Sequence, residues 1–379
     1  MKILTLNIWG APYAKHRSER VEAICDEIKR IDPDILCFQE VYLPDNRQDL
    51  IAGLVDTWCY HHYFPSALIG SGLLTMSKFP IMDAAFYKFR MQGKPDDIMR
   101  GDYYAGKGIG LTRIDTPDGV LDVYNCHTHA QYEPDNNNEY AVYNETNLYE
   151  AARFIDSQSG ASPVVLCGDL NTRPDQAGYR IITQSGSLVN ASFHLNQAHL
   201  TTYSRDNPYV TSDNQCLDYV LVRNIGVQTV ELTLNQTLSG GTAHTFSDHY
   251  GLLADVRFDG EKLNDYTSDV ADVMEALYQR VSDGLLDAEA QQLKHLERAV
   301  LSFTTIFDGW FLSAFMARFS KRSGRGLRWL TIFLTIGYTL WQVMQAGLNL
   351  QNRKSTLEAI RQELEKQIRS KRLFDGREW

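Results

Sequence analysis

Six cysteines are spread through 379 residues with no CxxC pair and no zinc-ligand spacing, which excludes a cysteine-based metal module. Cys37, Cys126 and Cys167 lie in or beside apolar runs and read as small buried hydrophobes. The chain has no basic leader followed by an apolar stretch. Met1–Asn7 reads instead as a first strand, so no secretory signal is inferred and the catalytic part is expected to face a reducing cytoplasm. No internal repeat is evident. Basic residues are scarce in the first 260 positions, where 20 Lys and Arg stand against 32 Asp and Glu, a balance of −12. That acidity argues against a nucleic-acid partner. Residues 318–379 reverse it, with 13 basic against 5 acidic residues, +8, which suits a tail held at an anionic membrane surface.

What is present begins with short Ile/Leu/Val-rich segments bounded by Gly, Pro or Asp. They predict strands at 2–7, 34–39, 71–77, 108–114, 120–126, 163–168, 217–222 and 251–257. Helical spacing of Val21, Ile24, Cys25, Ile28 and Ile31 predicts a helix over 17–31, and a second is expected at about 139–157. Thr116-Pro117-Asp118-Gly119 is a hairpin signal, so antiparallel pairing is expected beside parallel pairing. The fold class is therefore α+β, with two mixed sheets packed face to face and helices outside.

Residues 1–258 form the expected catalytic domain, and 259–379 a helical region with apolar helices at about 299–319 and 327–348. The second apolar stretch has 22 residues and would reach roughly 33 Å, enough to cross a bilayer, although Thr331, Thr335, Thr339, Gln342 and Gln345 give it a polar stripe. Trp310, Trp329, Trp341 and the flanking Arg and Lys favour a membrane interface. Folding back or pairing into a homo-oligomer is the alternative. A charged helix is expected at about 354–372.

The chemistry-bearing residues stand at strand ends. Asn7 closes the first strand and Glu40 the second. A carboxylate beside the apolar run Ile35-Leu36-Cys37-Phe38 is costly unless it meets a cation. Gly101-Asp102-Tyr103-Tyr104-Ala105-Gly106-Lys107-Gly108 resembles a phosphate cradle but lacks the Gly-Lys-Ser/Thr ending of a P-loop. His127 and His129 alternate, as do Asp169 and Asn171, so each pair is expected on one face. Asp218 and His249, the latter in Ser247-Asp248-His249, form a candidate carboxylate–imidazole pair. The carboxylate would fix the tautomer of a base able to deprotonate water. Carboxylates, Asn and His gathered this way suit metal-assisted attack of water on a phosphate ester.

In its order Asn7, Glu40, His127, Asp169/Asn171, Asp218, Ser247-Asp248-His249, the chain resembles the metal-dependent endonuclease/exonuclease/phosphatase superfamily over about residues 1–258. Within it, several connecting segments resemble those of the neutral sphingomyelinases: Leu6-Asn7-Ile8-Trp9-Gly10 with Lys15-His16-Arg17, Ile69-Gly70-Ser71-Gly72-Leu73, the Asp102…Lys107 loop and His127-Thr128-His129-Ala130-Gln131-Tyr132. The family's Thr-His-Leu reads Cys126-His127-Thr128 here, which keeps the His.

The resemblance implies a DNase I-like four-layer fold and Mg²⁺, with Mn²⁺ as a substitute. It implies Glu40 as principal metal ligand with Asp248 near the metal, Asn7 and Asn171 orienting phosphate or ligand groups, and Asp169 placing water. His249 would be general base, His127 a donor to phosphoryl oxygens, and Asp102, Lys107 and His129 part of a substrate loop. The expected function is a phospholipase C-type phosphodiesterase. It would release a phosphorylated head group such as phosphocholine from a sphingomyelin-like lipid or lysophospholipid at a membrane. A nuclease or inositol phosphate phosphatase of the same superfamily is the alternative, and a catalytically dead membrane scaffold a third.

Overall fold

The protein is described here by a computed structural model covering residues 1–95, 97, 100–132, 139–196, 198–238, 244–263, 270–316 and 325–374; side chains at 306–331 and 371–374 lie outside the description. One sheet holds β1 (Lys2–Asn7), β2 (Ile35–Gln39), β3 (Tyr60–Tyr63), β4 (Leu74–Ser77), β11 (Gly226–Thr233) and β12 (Gly251–Arg257). The other holds β5 (Ile81–Lys88), β6 (Gly108–Thr116), β7 (Gly119–His127), β8 (Val164–Asp169), β9 (Val189–Asn190) and β10 (Asp218–Arg223). Their spatial orders are β11-β12-β1-β2-β4-β3 and β5-β6-β7-β8-β10-β9. Each sheet is mixed: β1–β2 and β7–β8 are parallel and the other ladders antiparallel. The hairpin expected at Thr116–Gly119 joins β6 to β7.

The helices are α1 (Arg17–Ile31), α2 (Pro44–Leu54), α3 (Asp102–Ala105), α4 (Ala141–Ser159), α5 (Ala177–Ser185), α6 (Ala191–Asn196), α7 (Ala271–Met316), α8 (Arg325–Met344) and α9 (Leu350–Phe374). Leu4, Leu6, Leu36 and Phe38 point outward onto Val21, Ile24, Ile28, Leu50 and Leu54 of α1 and α2. Tyr124 points out of the second sheet and meets Phe154 and Ser159 of α4. The result is four layers.

Between the sheets, side chains two residues apart share one face. Ile3, Ile35, Val123, Val165 and Val222 form the apolar part of the inter-sheet core. Burying each contributes roughly 1.5–3 kcal/mol before entropy is charged. Further along the same strands the inward row turns polar. Ile3 gives way to Thr5 and Asn7, Ile35 to Cys37 and Gln39, Val123 to Asn125 and His127, Val165 to Cys167 and Asp169, and Val222 to Val220 and Asp218. Gln39 Nε2 donates to Asn125 Oδ1 across the sheets (2.8 Å), so the polar end of the sandwich is internally bonded. This gradient delivers the site.

The chain divides into two compact units, Met1–Met274 and Glu275–Trp379. The separate helix expected at 299–319 is instead the last part of α7, which runs unbroken to Met316 because no Gly or Pro breaks it near residue 299. The side chains of Trp310 and Trp329, expected at a membrane interface, lie outside the description.

The sequence leaves open whether 327–348 crosses a bilayer or lies at its surface; among the described residues no helix is long and apolar enough to cross a membrane. Polar residues break up the apolar run, and regular α-helix stops at Met344, where a π-helical turn (Gln345–Asn349) leads into α9. The polar stripe turns inward. Thr339 Oγ1 and Ser302 Oγ are 2.8 Å apart, His295 Nδ1 lies 2.5 Å from Gln342 Oε1, and Gln292 Nε2 donates to Ala346 O at 2.9 Å. Phe333 and Leu340 are turned outward, 73% and 64% exposed.

Candidate active site

Strand register alone lines up three of the expected residues. His127 is opposite Asp169 in the parallel β7–β8 ladder, and Asp218 is opposite Asp169 in the antiparallel β8–β10 ladder. In the other sheet β1 and β2 end together, with Asn7 opposite Gln39 and Glu40 next. His249 lies two residues before β12, the neighbour of β1. Ser247 Oγ donates to Asn7 O (2.6 Å), fixing that segment to the end of β1.

Close backbone approach is part of this design. Gly168 has φ +142°, and a Cβ there would sit 2.0 Å from Cys126 O. Only glycine lets β8 run this close to β7 just before Asp169. Gly168→Ala is expected to cost about 3 kcal/mol or more, read as a lower urea midpoint. Glu40 (φ +60°), Asn171 (φ +44°) and Trp9 (φ +49°) are left-handed, a strain of about 1–3 kcal/mol each that clusters at functional sites. Local bonds hold two of them: Asn171 N donates to Asp169 Oδ1 (2.9 Å) and Trp9 N to Asn7 Oδ1 (3.0 Å).

Asn7 Nδ2 bridges two carboxylates, donating to Asp169 Oδ2 (2.9 Å) and Glu40 Oε1 (3.2 Å). His249 Nδ1 is 2.7 Å from Asp218 Oδ2, while its Nε2 faces Asp169 at 3.9 Å. His127 Nε2 is 3.6 Å from the same Asp169 oxygen. Lys107 Nζ pairs with Asp102 Oδ1 (2.6 Å) and donates to Thr128 O (2.9 Å). Glu40, Asp102, Lys107, His127, Asp169, Asn171, Asp248 and His249 line one cavity of about 940 Å³. Asn7, Asp218 and His129 are not among its lining residues and are buried.

His127 and His129 do not share a face. β7 ends at His127, and α4 captures the chain beyond it: Asn147 Oδ1 accepts from His129 N (3.0 Å) and Asn144 Nδ2 donates to His129 O (2.9 Å). The His129 ring stacks on Tyr140 (5.1 Å) and supports Asp102 from behind at 3.9 Å.

The sequence reading missed the residues that hold the loops. Arg20 of α1 is fully buried and donates to Ile8 O (2.6 Å), Trp9 O (2.8 Å) and Phe246 O (3.1 Å), joining both loops of one sheet end. Asn144 donates to Leu170 O (3.0 Å) and Asn171 O (3.2 Å) in the same way for the other sheet. Tyr42 and Tyr203 line the cavity, against His127 (3.4 Å) and the His249 ring (5.0 Å) respectively.

The electrostatics follow from crowded acids in a dry pocket. Burial pushes Asp169 up to about 6, helped by Asp218. Burial likewise pushes Asp248 up to about 6, helped by Glu40. Glu40 is raised by burial and by Asp169. Burial opposes a charge on His249, but Asp218 and Asp169 outweigh it and hold the imidazole well above its usual value. His127 is held well below, by burial and then by Lys107, and is neutral at physiological pH. Burial opposes the Asp102 charge too, yet Lys107 and His129 keep its carboxyl low.

The donor chemistry, with carboxylates lining one cavity, suits a divalent cation. Glu40, Asp169 and Asp248 face one space, and the nearest ammonium, Lys107, is committed to Asp102 and Thr128. Carboxylate oxygens are the donors that hard cations such as Mg²⁺ prefer. Asp169, Asp218 and His249 also offer three ligand atoms within 4.8 Å of one another. The 2.7 Å bond between His249 and Asp218 fits that pair better as a base and its anchor.

Residues 4–249 match the Endonuclease/Exonuclease/phosphatase family, and the chain belongs to it. Human "Sphingomyelin phosphodiesterase 2" is 30% identical over 270 residues, covering 67% of this chain and 64% of the relative. The Saccharomyces cerevisiae "Inositol phosphosphingolipids phospholipase C" is 30% identical over 216 residues, covering 50% and 45%. The chain thus spans less than two thirds of the length of either relative. Sphingomyelinase C from Streptomyces griseocarneus superposes with a TM-score of 0.52 at 20% identity, over 67% of this chain and 98% of that one, which shows the shared fold. The expected resemblance to sphingomyelinases therefore holds, as do the two mixed sheets flanked by helices.

Proposed function

We propose that this protein is a Mg²⁺-dependent phosphodiesterase of the phospholipase C type, acting on sphingomyelin-like lipids and releasing a phosphorylated head group. The observation that carries the reading is the single cavity that holds Glu40, Asp169 and Asp248 beside the His249–Asp218 pair. Asp218 accepts the Nδ1 proton of His249, so that in the deprotonated ring Nε2 is the nitrogen that takes a proton from water. Asp169, 3.9 Å from Nε2, holds that water. Neutral His127 donates toward the phosphoryl oxygens, Asn171 orients them, and Lys107, paired with Asp102, belongs to the substrate loop. Glu40, with Asp248 and Asp169, would hold a divalent cation, Mg²⁺ or Mn²⁺, which when bound would supply Lewis-acid stabilisation of the charge that builds on the phosphate.

The pKa directions give a stability prediction. A carboxyl whose folded value lies above its unfolded one stabilises the fold at low pH and loses that contribution as pH rises through the folded value. Asp169 and Asp248, both at about 6, should therefore weaken the metal-free protein between about pH 4 and 6. Mg²⁺ at neutral pH is expected to restore the loss and raise Tm by several degrees, read by thermal melts with Mg²⁺ or EDTA. A Tm indifferent to Mg²⁺ at pH 7.5 counts against a cation at these carboxylates.

The second unit supports action at a membrane surface. With its polar stripe bonded to α7 and Phe333, Leu340 and other apolar side chains exposed, α8 presents the face an interfacial helix buries in lipid. Pairing with a second copy is the alternative use of that face, and sedimentation with and without vesicles separates the two. The function itself is tested on choline-, ethanolamine- and inositol-phosphate-bearing lipids with Mg²⁺ or EDTA, scored by liberated head group, beside duplex DNA. Mg²⁺-dependent release of phosphocholine is expected. Cleavage of DNA without lipid turnover would move the protein to the nuclease branch of the family.

A further inference from the structure

Outside the cavity, two imidazoles and a carboxylate from distant parts of the chain converge. His16 precedes α1, Glu19 lies in its first turn, and His244 stands more than two hundred residues away in sequence. One ligand atom from each lies within 4.8 Å of the others. The two rings meet at 3.8 Å between centroids, and His16 Nδ1 is 3.7 Å from Glu19 Oε2. The backbone holds both histidines. His16 O accepts from Arg20 N (3.0 Å), and His244 O accepts from Leu238 N (2.7 Å) beside the Thr237–Thr245 bridge. The His16 and Glu19 side chains are exposed, so modest rotations can bring the ligand atoms onto one ion.

We propose that His16, Glu19 and His244 bind a Zn²⁺ ion at a site separate from the catalytic carboxylates. Two imidazole nitrogens, one carboxylate oxygen and a water complete the four-coordinate shell that zinc prefers. Mg²⁺ favours oxygen donors and retains its waters, so it competes poorly for such a set. The site sits against the cavity rim. The His244 ring lies parallel to that of Tyr209 (6.1 Å, 4°), and Tyr209 packs on Trp9 at 4.9 Å. Tyr209 and Trp9 both line the cavity. A bound ion ties the segment carrying His244 to the start of α1 and braces that aromatic wall.

The inference does not rest on the phosphodiesterase reading, and its test needs no turnover. The full-length protein is stripped of metal, placed in excess Mg²⁺ and titrated with Zn²⁺ against a chromophoric chelator. Co²⁺ in place of Zn²⁺ reports coordination through its visible spectrum. The expected result is one tightly held Zn²⁺ per chain, with affinity lowered at least about tenfold in His16→Ala and in His244→Ala, less in Glu19→Gln, and unchanged in Glu40→Gln. Should His244→Ala disturb folding in a thermal melt, His16→Ala decides alone. Zinc held as tightly by the histidine variants as by the wild type, zinc displaced by millimolar Mg²⁺, zinc lost in Glu40→Gln, or no zinc bound by the wild type would each overturn the proposal.

Discussion

His249→Ala is expected to lower turnover about 10³-fold or more, on the order of 4 kcal/mol of barrier, while the protein melts within a few degrees of the wild type. The side chain contributes little to the apolar core. Its burial is against Asp218, Asp169 and Tyr203, and removing it takes away the one imidazole whose Nε2 is both basic and turned toward Asp169. His127 cannot replace it, because burial and Lys107 make it a poor proton acceptor. Asp218→Asn separates the anchor from the base. The carboxylate holds the His249 value up, so its loss should move the acidic limb of the pH–rate profile to lower pH and lower the plateau. A profile unchanged by Asp218→Asn would dissociate the pair from the reaction.

Glu40→Gln carries the second large effect and has an opposite sign for stability. Turnover should fall by about 10³-fold at ordinary Mg²⁺ concentrations, since a charged ligand becomes a neutral amide at the centre of the carboxylate group. The same change removes a carboxylate that burial and Asp169 disfavour. The metal-free variant should therefore melt a few degrees higher than the metal-free wild type, and Mg²⁺ should no longer raise its Tm. Lost activity with gained stability marks a residue kept for function rather than for folding. A variant that loses both would make Glu40 a structural residue.

The central strands were legible because each carries a buried apolar row that ends in a polar residue. Asn7, His127 and Asp169 stand where an alternating pattern breaks, and a break of that kind can be read without coordinates. α1 was legible from its apolar stripe down to both ends, Arg17 and Ile31. The edge strands were not. β5 and β11 are only partly buried, without a regular in–out alternation, and carry polar residues such as Asp83 and Gln228, which removes the period-two signal. β3, Tyr-His-His-Tyr, has no aliphatic residue at all. α2 and α5 were missed as short helices without a long apolar stripe.

Within the site, the groups facing the cavity were legible and those that hold them were not. Asn144, Glu145, Thr146 and Asn147 form a run of four buried polar residues in α4, which in sequence looks like a solvent face. Arg20 sits in α1 among Glu19 and Glu22, and nothing local distinguishes it from a surface arginine. Its backbone acceptors Ile8, Trp9 and Phe246 come from segments up to 226 residues away, which only the assembled fold brings together. The polar stripe of α8 was legible, but not the direction it faces. Partners on α7 settle that: Gln292, His295 and Ser302.

The most direct measurement is hydrolysis of sphingomyelin vesicles by the full chain in oxygen-18 water with Mg²⁺, with both products analysed by mass. Attack of a water held between Asp169 and His249 on phosphorus places one heavy oxygen in the released phosphocholine and none in the lipid alcohol. Heavy oxygen in the alcohol, or release that proceeds equally in EDTA, would contradict the account.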